Sequence, residues 1–520
     1  MHVDEAVQAV KFGTLYETGV YRYDPNEFHG PTLNYATLLP AWLGAARDRT
    51  FAATSEFTYR IVPVLFGAGT VLLLFLLCDG LGWPATILAG VFTALSPALV
   101  FYNRYYIHES LLLFFTLGFI GAAWRYVQNR KLGWALLAGA FLGLMHATKE
   151  TFVLSCVAML AAVGCTFVWN RLRPSLPQRV SAAIQEDCGT VAGVGLPPLR
   201  VLLGALTAAA LVSIVLFSSF FTNWAGLRDS VWTYLFWLKR AGGETLHNHP
   251  LQFYLARLLW FKEEGGPVWT EALIVLLALA GFVAALCGRG FAPRSSVVLA
   301  RFLGFYTLGL TALYSLISYK TPWCMLTFLH GMILLAGLGA VAIMRSLPHW
   351  TLKALAGVLL AVGLGHLGWE AYRASFNQKY YADWRNPYVY AHTIPDIRNF
   401  AGRMEGLAQA HPDGYGMLVK VIARDAHDYW PVPWYLRCFR QVGYWPEPPA
   451  DADAPVVIAA KVVSDEEDSS PDVQALLSHA LRGKYAPPQL FGLRPGVFLV
   501  VYVEQGLWDE FLRRKAKQRL

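Results

Sequence analysis

Residues 301–344 read RFLGFYTLGLTALYSLISYKTPWCMLTFLHGMILLAGLGAVAIM. Two apolar runs, 301–318 and 323–344, flank a polar turn that holds Lys320 and Pro322. Each run has the roughly 20 residues that an α-helix needs to cross the hydrocarbon core of a bilayer. Neither carries an acidic residue, and the one Lys or Arg, Arg301, stands at an end. The pair reads as a hairpin of membrane-spanning helices.

The same pattern recurs outward from this hairpin. Further spans are expected near 58–79, 84–102, 107–124, 132–148, 151–169, 199–221, 268–287 and 351–368. A shorter apolar piece, 33–45, contains Pro40 and reads as an interfacial helix. Composition agrees: of 520 residues, 55% are hydrophobic and only 15% charged, where a soluble chain carries about a quarter of its residues charged. The net charge of +8 comes from bases in short loops, not from one continuous face, so nucleic acid is not the implied partner. The cysteines Cys78, Cys156, Cys165, Cys287 and Cys324 lie in or beside apolar runs, with Cys188 and Cys438 elsewhere. No CxxC or His/Cys spacing suggests a disulfide framework or a zinc site. Met1 opens on a polar stretch, without a visible signal peptide.

Bases fix the orientation. Arg125, Arg130 and Lys131, then Arg171, Arg173 and Arg179, then Arg289, Arg294 and Arg301, then Arg345 and Lys353 all fall on one face when the spans alternate. That face is expected to be cytoplasmic. The opposite face carries Asp4 and Glu5, the 103–109 loop with Arg104, Tyr105, His108 and Glu109, then Lys149-Glu150, then Lys320 to Trp323. It also carries the aromatic segment 222–267 and everything after about 370. An ionisable group costs up to about 3 kcal/mol at a helix centre in the membrane, and less near its ends, so it usually has a partner or a function. Simple pairing, Arg104 with Glu109 or Lys149 with Glu150, would account for any one loop. Four such loops on one face point to a shared polar cavity.

This order of motifs, with Lys-x-Pro-Trp before a late span and an outer C-terminal region, resembles the GT-C membrane glycosyltransferases. These include the protein O-mannosyltransferases and the aminoarabinose transferases acting on lipid A. The stretches Tyr21-Arg22-Tyr23-Asp24-Pro25, His29-Gly30-Pro31 and Tyr429–Arg437 resemble one branch, labelled "flippase activity-associated" and linked by name to archaeal N-glycosylation. The resemblance implies a prokaryotic plasma-membrane enzyme, and a first helix that would precede Asp4. It implies a multi-pass domain over 1–370 and an extracytoplasmic α/β domain over 371–520. It implies transfer of a sugar, with inversion, from a polyprenyl phosphate to a lipid, glycan or protein acceptor. No cofactor is demanded, although a divalent cation stays open.

Such a transfer needs a base for the acceptor proton and cations for the departing phosphate. The resemblance places the base at Asp4, with Glu5 orienting the acceptor and Glu109 as a second acidic group beside His108. By composition alone Asp4-Glu5 would be an exposed terminal pair. Arg104, Lys149 and Lys320 are the phosphate candidates, against a reading in which they merely snorkel to the head-group layer. His29, Tyr105, Glu150 and Trp323 are expected to line the substrate. So are His247 and His249, whose i, i+2 spacing could hold a metal but lacks a nearby carboxylate pair and reads better as a loop over the site. Stretches 228–240 and 251–262 read as interfacial helices beneath which a prenyl tail could slide.

In the C-terminal region, strands are expected at 417–422, 455–460 and 497–503, with helices near 396–410 and 472–482. Trp430, Trp434 and Tyr435 fit a hydrophobic core better than a sugar platform. The basic tail 507–519 reads as a surface helix. A transporter, or a non-catalytic partner in a glycosylation pathway, is the alternative. Against a transporter, the charges gather at one face and no internal repeat is visible.

Overall fold

A computed structural model describes the chain except residues 27–28, 45–49, 173–196, 244–246, 294, 452, 464–476, 478–480, 482 and 518–520. Arg173, Arg179, Cys188, Arg294, Arg519 and most of the 472–482 stretch therefore lie outside the described residues.

The chain opens with α1 (Val3–Thr18), so Asp4 and Glu5 sit in the first turn of a helix and not in a loop. The cause is a reciprocal cap. His2 Nδ1 accepts from Asp4 N at 3.1 Å, while His2 N donates to the Glu5 carboxylate at 2.8 Å. Acidic residues also suit the positive end of the helix dipole. Next, α2 (Thr32–Gly44) buries Leu33, Thr37 and Ala41 and exposes Leu39, Trp42 and Leu43, as an interfacial helix should.

Each of the ten expected spans corresponds to a helix. In chain order they are α3 (Glu56–Leu81), α4 (Trp83–Leu95) continued by α5 (Pro97–Tyr102), α6 (Glu109–Asn129), α7 (Leu132–His146), α8 (Phe152–Leu172) and α9 (Leu199–Phe217). After α10 (Ala225–Gly242) and the short helix α11 (Phe253–Leu259) come α12 (Ala272–Cys287), α13 (Val297–Leu316), α14 (Pro322–Ser346) and α15 (Trp350–Ser375). Seven are long enough to cross a bilayer outright; α4, α7 and α12 are shorter apolar helices. The expected span 84–102 breaks between α4 and α5 because Ser96 caps a new helix, with Pro97 at its first position.

The opening hairpin supplies the centre of the bundle. From Leu326 to Ala342 every residue of α14 is buried, whereas α9 buries only Phe217 and turns its apolar sides outward. Such packing in lipid relies on close backbone approach. A Cβ at Gly339 would lie 2.0 Å from the Leu277 carbonyl oxygen, and one at Gly281 would lie 2.1 Å from that of Leu335. Glycine is what lets α12 meet α14.

The C-terminal region builds its own core. Five strands, β1 (Leu418–Ile422), β2 (Gln441–Trp445), β3 (Val456–Val462), β4 (Gln489–Arg494) and β5 (Val497–Val503), form one sheet in the order β2-β1-β3-β5-β4. The β1 pairings are parallel and the β5 pairings antiparallel. Two amphipathic helices, α16 (Ile397–Ala410) and α17 (Gln505–Lys517), cover one face with Ile397, Phe400, Met404, Leu407, Leu507 and Phe511. The three expected strands are the β-branched runs in the middle of the sheet. The edge strands β2 and β4 escape sequence reading because Gly443, Gly492 and polar ends dilute their pattern.

Candidate active site

The loops of one bundle end, opposite the end of Arg125 and Arg345, interlock through backbone and side-chain bonds. Glu5 is fully buried and accepts four bonds: from Arg60 Nε at 2.8 Å and Nη2 at 2.7 Å, from Tyr106 N at 3.0 Å and from His2 N at 2.8 Å. Burial alone would raise the Glu5 carboxyl, but the Arg60 guanidinium outweighs it and holds the group well below the usual carboxylate range. Thus α1, α3 and the 103–108 loop are tied together by one carboxylate. Glu5 has no oxygen to spare for an acceptor.

Asp4 differs in every respect. Its side chain is half exposed, and its nearest basic group is His2, 3.8 Å away. The His2 ring, whose Nε2 lies 2.5 Å from the Tyr390 carbonyl oxygen, stands between Asp4 and a wall of rings. Tyr105, Trp323 and His392 lie 5.7, 5.8 and 4.7 Å from it, centroid to centroid. Because Nδ1 accepts the Asp4 amide, Nε2 carries the proton that reaches Tyr390.

Tyr390 links this wall to the cations. Its hydroxyl bonds His247 Nδ1, its ring lies 5.8 Å from Trp323 and 6.2 Å from His249, and burial first, then Tyr319, pushes its phenol up to about 12. Lys320 Nζ donates to the His249 carbonyl at 2.8 Å, and Lys320 N donates to the His247 carbonyl. Arg257 stacks on Phe253 at 3.6 Å and reaches the Pro387 carbonyl at 3.3 Å. Among the described residues, neither Lys320 nor Arg257 has a carboxylate within ion-pair distance, and burial pulls both below their ordinary values. Buried His249 Nε2 and His392 Nε2 find no hydrogen-bond partner among the described residues. A polar ligand would satisfy them.

The remaining expected residues form a second cluster. Lys149 pairs with Glu109, both nearly buried, and Glu150 pairs with His29 Nδ1 at 2.8 Å. Burial opposes the Lys149 charge, but Glu109 holds the ammonium above its ordinary value. Burial likewise opposes Glu150, and His29 brings it below the usual range. His108 Nε2 meets the Gly30 carbonyl at 3.1 Å, and burial, with His29 and Lys149, keeps that imidazole neutral. Arg104 turns away from Glu109, donating to the Ser375 carbonyl over the Phe376 ring, where it caps α15. The pairings are therefore Lys149–Glu109 and Glu150–His29, not Arg104–Glu109 or Lys149–Glu150.

Arg60, His2, Tyr390, His392 and Arg257 complete the arrangement. Arg257 is one of the bases interleaved in the aromatic segment 222–267. Arg60, a lone cation just inside an apolar run, carried the intramembrane-charge signal. Tyr390 and His392 lie in the connector between α15 and α16, where the sequence marks nothing.

No curated protein is significantly similar to the chain in sequence. A family model, dolichyl-phosphate-mannose-protein mannosyltransferase, matches residues 37–223. Among solved structures, ArnT from Cupriavidus metallidurans bound to undecaprenyl phosphate superposes with a TM-score of 0.57 at 13% identity, over 96% of this chain and 93% of that one. Its apo state gives a TM-score of 0.56 at 12% identity, with the same coverage. The chain has the GT-C fold. The GT-C likeness runs through both the helical bundle and the C-terminal sheet, as the coverage requires. The family match, by contrast, covers α3 to α9, the part that holds Arg60, Glu109, Lys149 and Glu150.

Proposed function

We propose that the chain is a membrane glycosyltransferase. It moves a sugar, with inversion, from a polyprenyl-phosphate carrier to an acceptor at the extracytoplasmic face. The observation that carries this reading is the contrast between spent and spare charges at one end of the bundle. Glu5, Glu109 and Glu150 are each committed to a base, whereas Asp4 is not held by any Lys or Arg among the described residues. Beside the same wall of rings, Lys320 and Arg257 are cations with no carboxylate in ion-pair distance among the described residues. A free carboxylate beside uncompensated cations is what proton removal from an acceptor and capture of a departing phosphate require.

In this assignment Asp4 takes the acceptor proton as the acceptor oxygen bonds the anomeric carbon. The bond from that carbon to the carrier phosphate breaks, and its electron pair stays with the phosphate, held by Lys320 and Arg257. Glu5 and Arg60 fix the helix end that presents Asp4. Lys149, neutralised by Glu109, braces the floor. The alternation of bases among the loops supports a site on the outer face.

The test is release of sugar from a defined polyprenyl-phosphate sugar by the purified protein in lipid, compared with Asp4→Asn. Turnover lost in the variant, with carrier binding retained, supports the assignment. Equal turnover in both refutes the base, and no turnover by the native protein with any donor leaves a non-catalytic partner as the better reading.

A further inference from the structure

A cleft in the described part of the molecule lies away from Asp4. It opens between α7, α9 and α10, has a volume of about 570 Å³, and is walled mainly by apolar side chains such as Leu142, Ala210, Ile214 and Phe217. Its polar edge consists of His146, bonded to Ser213 at 3.0 Å, and Tyr234. Beyond that edge stands the His29–Glu150 pair. Tyr23 links the two, with its ring 5.0 Å from Phe217 and its hydroxyl 3.4 Å from Glu150.

The pair is built to present one nitrogen. Glu150 engages His29 Nδ1, and the ring is held flat against Trp237 at 5.2 Å and edge-on to His108 at 5.1 Å. The carboxylate fixes the proton on Nδ1, so Nε2 offers a lone pair. His29 is partly exposed, and no partner for Nε2 occurs among the described residues.

Charge decides what this nitrogen meets. The cluster contains two carboxylates, Glu109 and Glu150, against one ammonium, Lys149. With His29 neutral the sum is negative, and with His29 protonated it is zero. Neither state attracts a phosphate, which the uncompensated Lys320 and Arg257 attract better. An uncharged head that donates hydrogen bonds fits Nε2, and an apolar chain fits the cleft.

We propose that the cleft and the His29–Glu150 pair bind the acceptor, and that the acceptor is a lipid with an uncharged, polyhydroxylated head. The inference rests on the glycosyltransferase reading and adds the acceptor class to it. One head hydroxyl bonds His29 Nε2, and another points toward Asp4. Tyr105 packs against the His2 ring and His108 against the His29 ring, so the same 103–108 loop borders both groups.

The experiment uses a monoglucosyl diacylglycerol with a photoreactive acyl chain, in phosphatidylcholine nanodiscs containing the full chain. Labelled peptides should come from α7, α9 and α10. Ala210→Trp, which fills the cleft from an exposed position, should abolish labelling. His29→Ala and Glu150→Gln should each cut it about five- to tenfold, the range for loss of one hydrogen bond, with unchanged thermal unfolding for at least one of them. Excess undecaprenyl phosphate should not compete. Competition by undecaprenyl phosphate would overturn the inference, because the cleft would then hold the donor tail. So would native labelling in both His29 and Glu150 variants. Undecaprenyl phosphate binding weakened by Lys320→Ala tests the underlying reading separately, so either can fail alone.

Discussion

Asp4 and Glu5 are adjacent carboxylates whose removal should have opposite consequences. Glu5→Gln keeps shape and removes the charge that compensates Arg60. Glu5 is fully buried and takes two bonds from Arg60, at 2.7 and 2.8 Å, and two from backbone amides. Removing one partner of a buried ion pair typically costs about 3–5 kcal/mol. Part of the Arg60 guanidinium reaches solvent and a second carboxylate, Glu56, so the lower end of that range, about 3 kcal/mol, is expected. That corresponds to a factor of roughly 150 in the folding equilibrium. Asp4→Asn removes a half-exposed carboxylate with no Lys or Arg partner among the described residues, and should change stability by no more than about 0.5 kcal/mol. Its turnover should nevertheless fall by about 10²–10⁴. The assay is thermal unfolding in lipid nanodiscs, read by tryptophan fluorescence, beside sugar release from a polyprenyl-phosphate sugar. A double-mutant cycle of Glu5→Gln with Arg60→Met should show strong coupling, because the second substitution removes the charge the first left unpaired. Additive effects, or an Asp4→Asn protein that unfolds early, would refute the division of labour.

Lys320→Ala should weaken donor binding and slow turnover together, and Lys320→Arg should recover part of both, measured by binding of undecaprenyl phosphate and by single-turnover rates. Acid should destabilise the site end of the bundle. The folded-state pKa of Glu5 is depressed, so its contribution is complete above the ordinary carboxylate value near about 4 and is lost as pH falls below it. The unfolding temperature of the native protein should therefore drop below that pH more steeply than that of Glu5→Gln. Cysteines placed at the exposed positions Asp413 and Lys461 should react with an impermeant reagent on intact cells, and those at Arg130 and Arg345 should not. The reverse pattern would remove the extracytoplasmic placement.

The membrane architecture was legible because a single physical variable, apolar run length, decides it. The hairpin of 301–344 became α13 and α14. Which charges would meet was not legible, because that depends on loop geometry. Asp4 and Glu5 look alike in sequence. They separate only when His2 starts a helix between them and the loop, turning Glu5 inward to Arg60 and leaving Asp4 outside. Lys149 and Lys320 also looked alike, each a lysine at a span end. Glu109 neutralises the first, whereas the second donates to the His249 backbone carbonyl and has no carboxylate in ion-pair distance among the described residues. A carbonyl satisfies a lysine's hydrogen-bonding needs without cancelling its charge, so Lys320 keeps its attraction for a phosphate and Lys149 does not. The same reasoning separates His29 from His249. One imidazole is backed by a carboxylate and suited to accept from a hydroxyl. The other is surrounded by Arg257, His247 and Lys320, and suited to share in holding an anion. The function therefore depends on which side chains are left over once the fold has paired the rest, and that remainder is set by contacts between segments 40 to 121 residues apart.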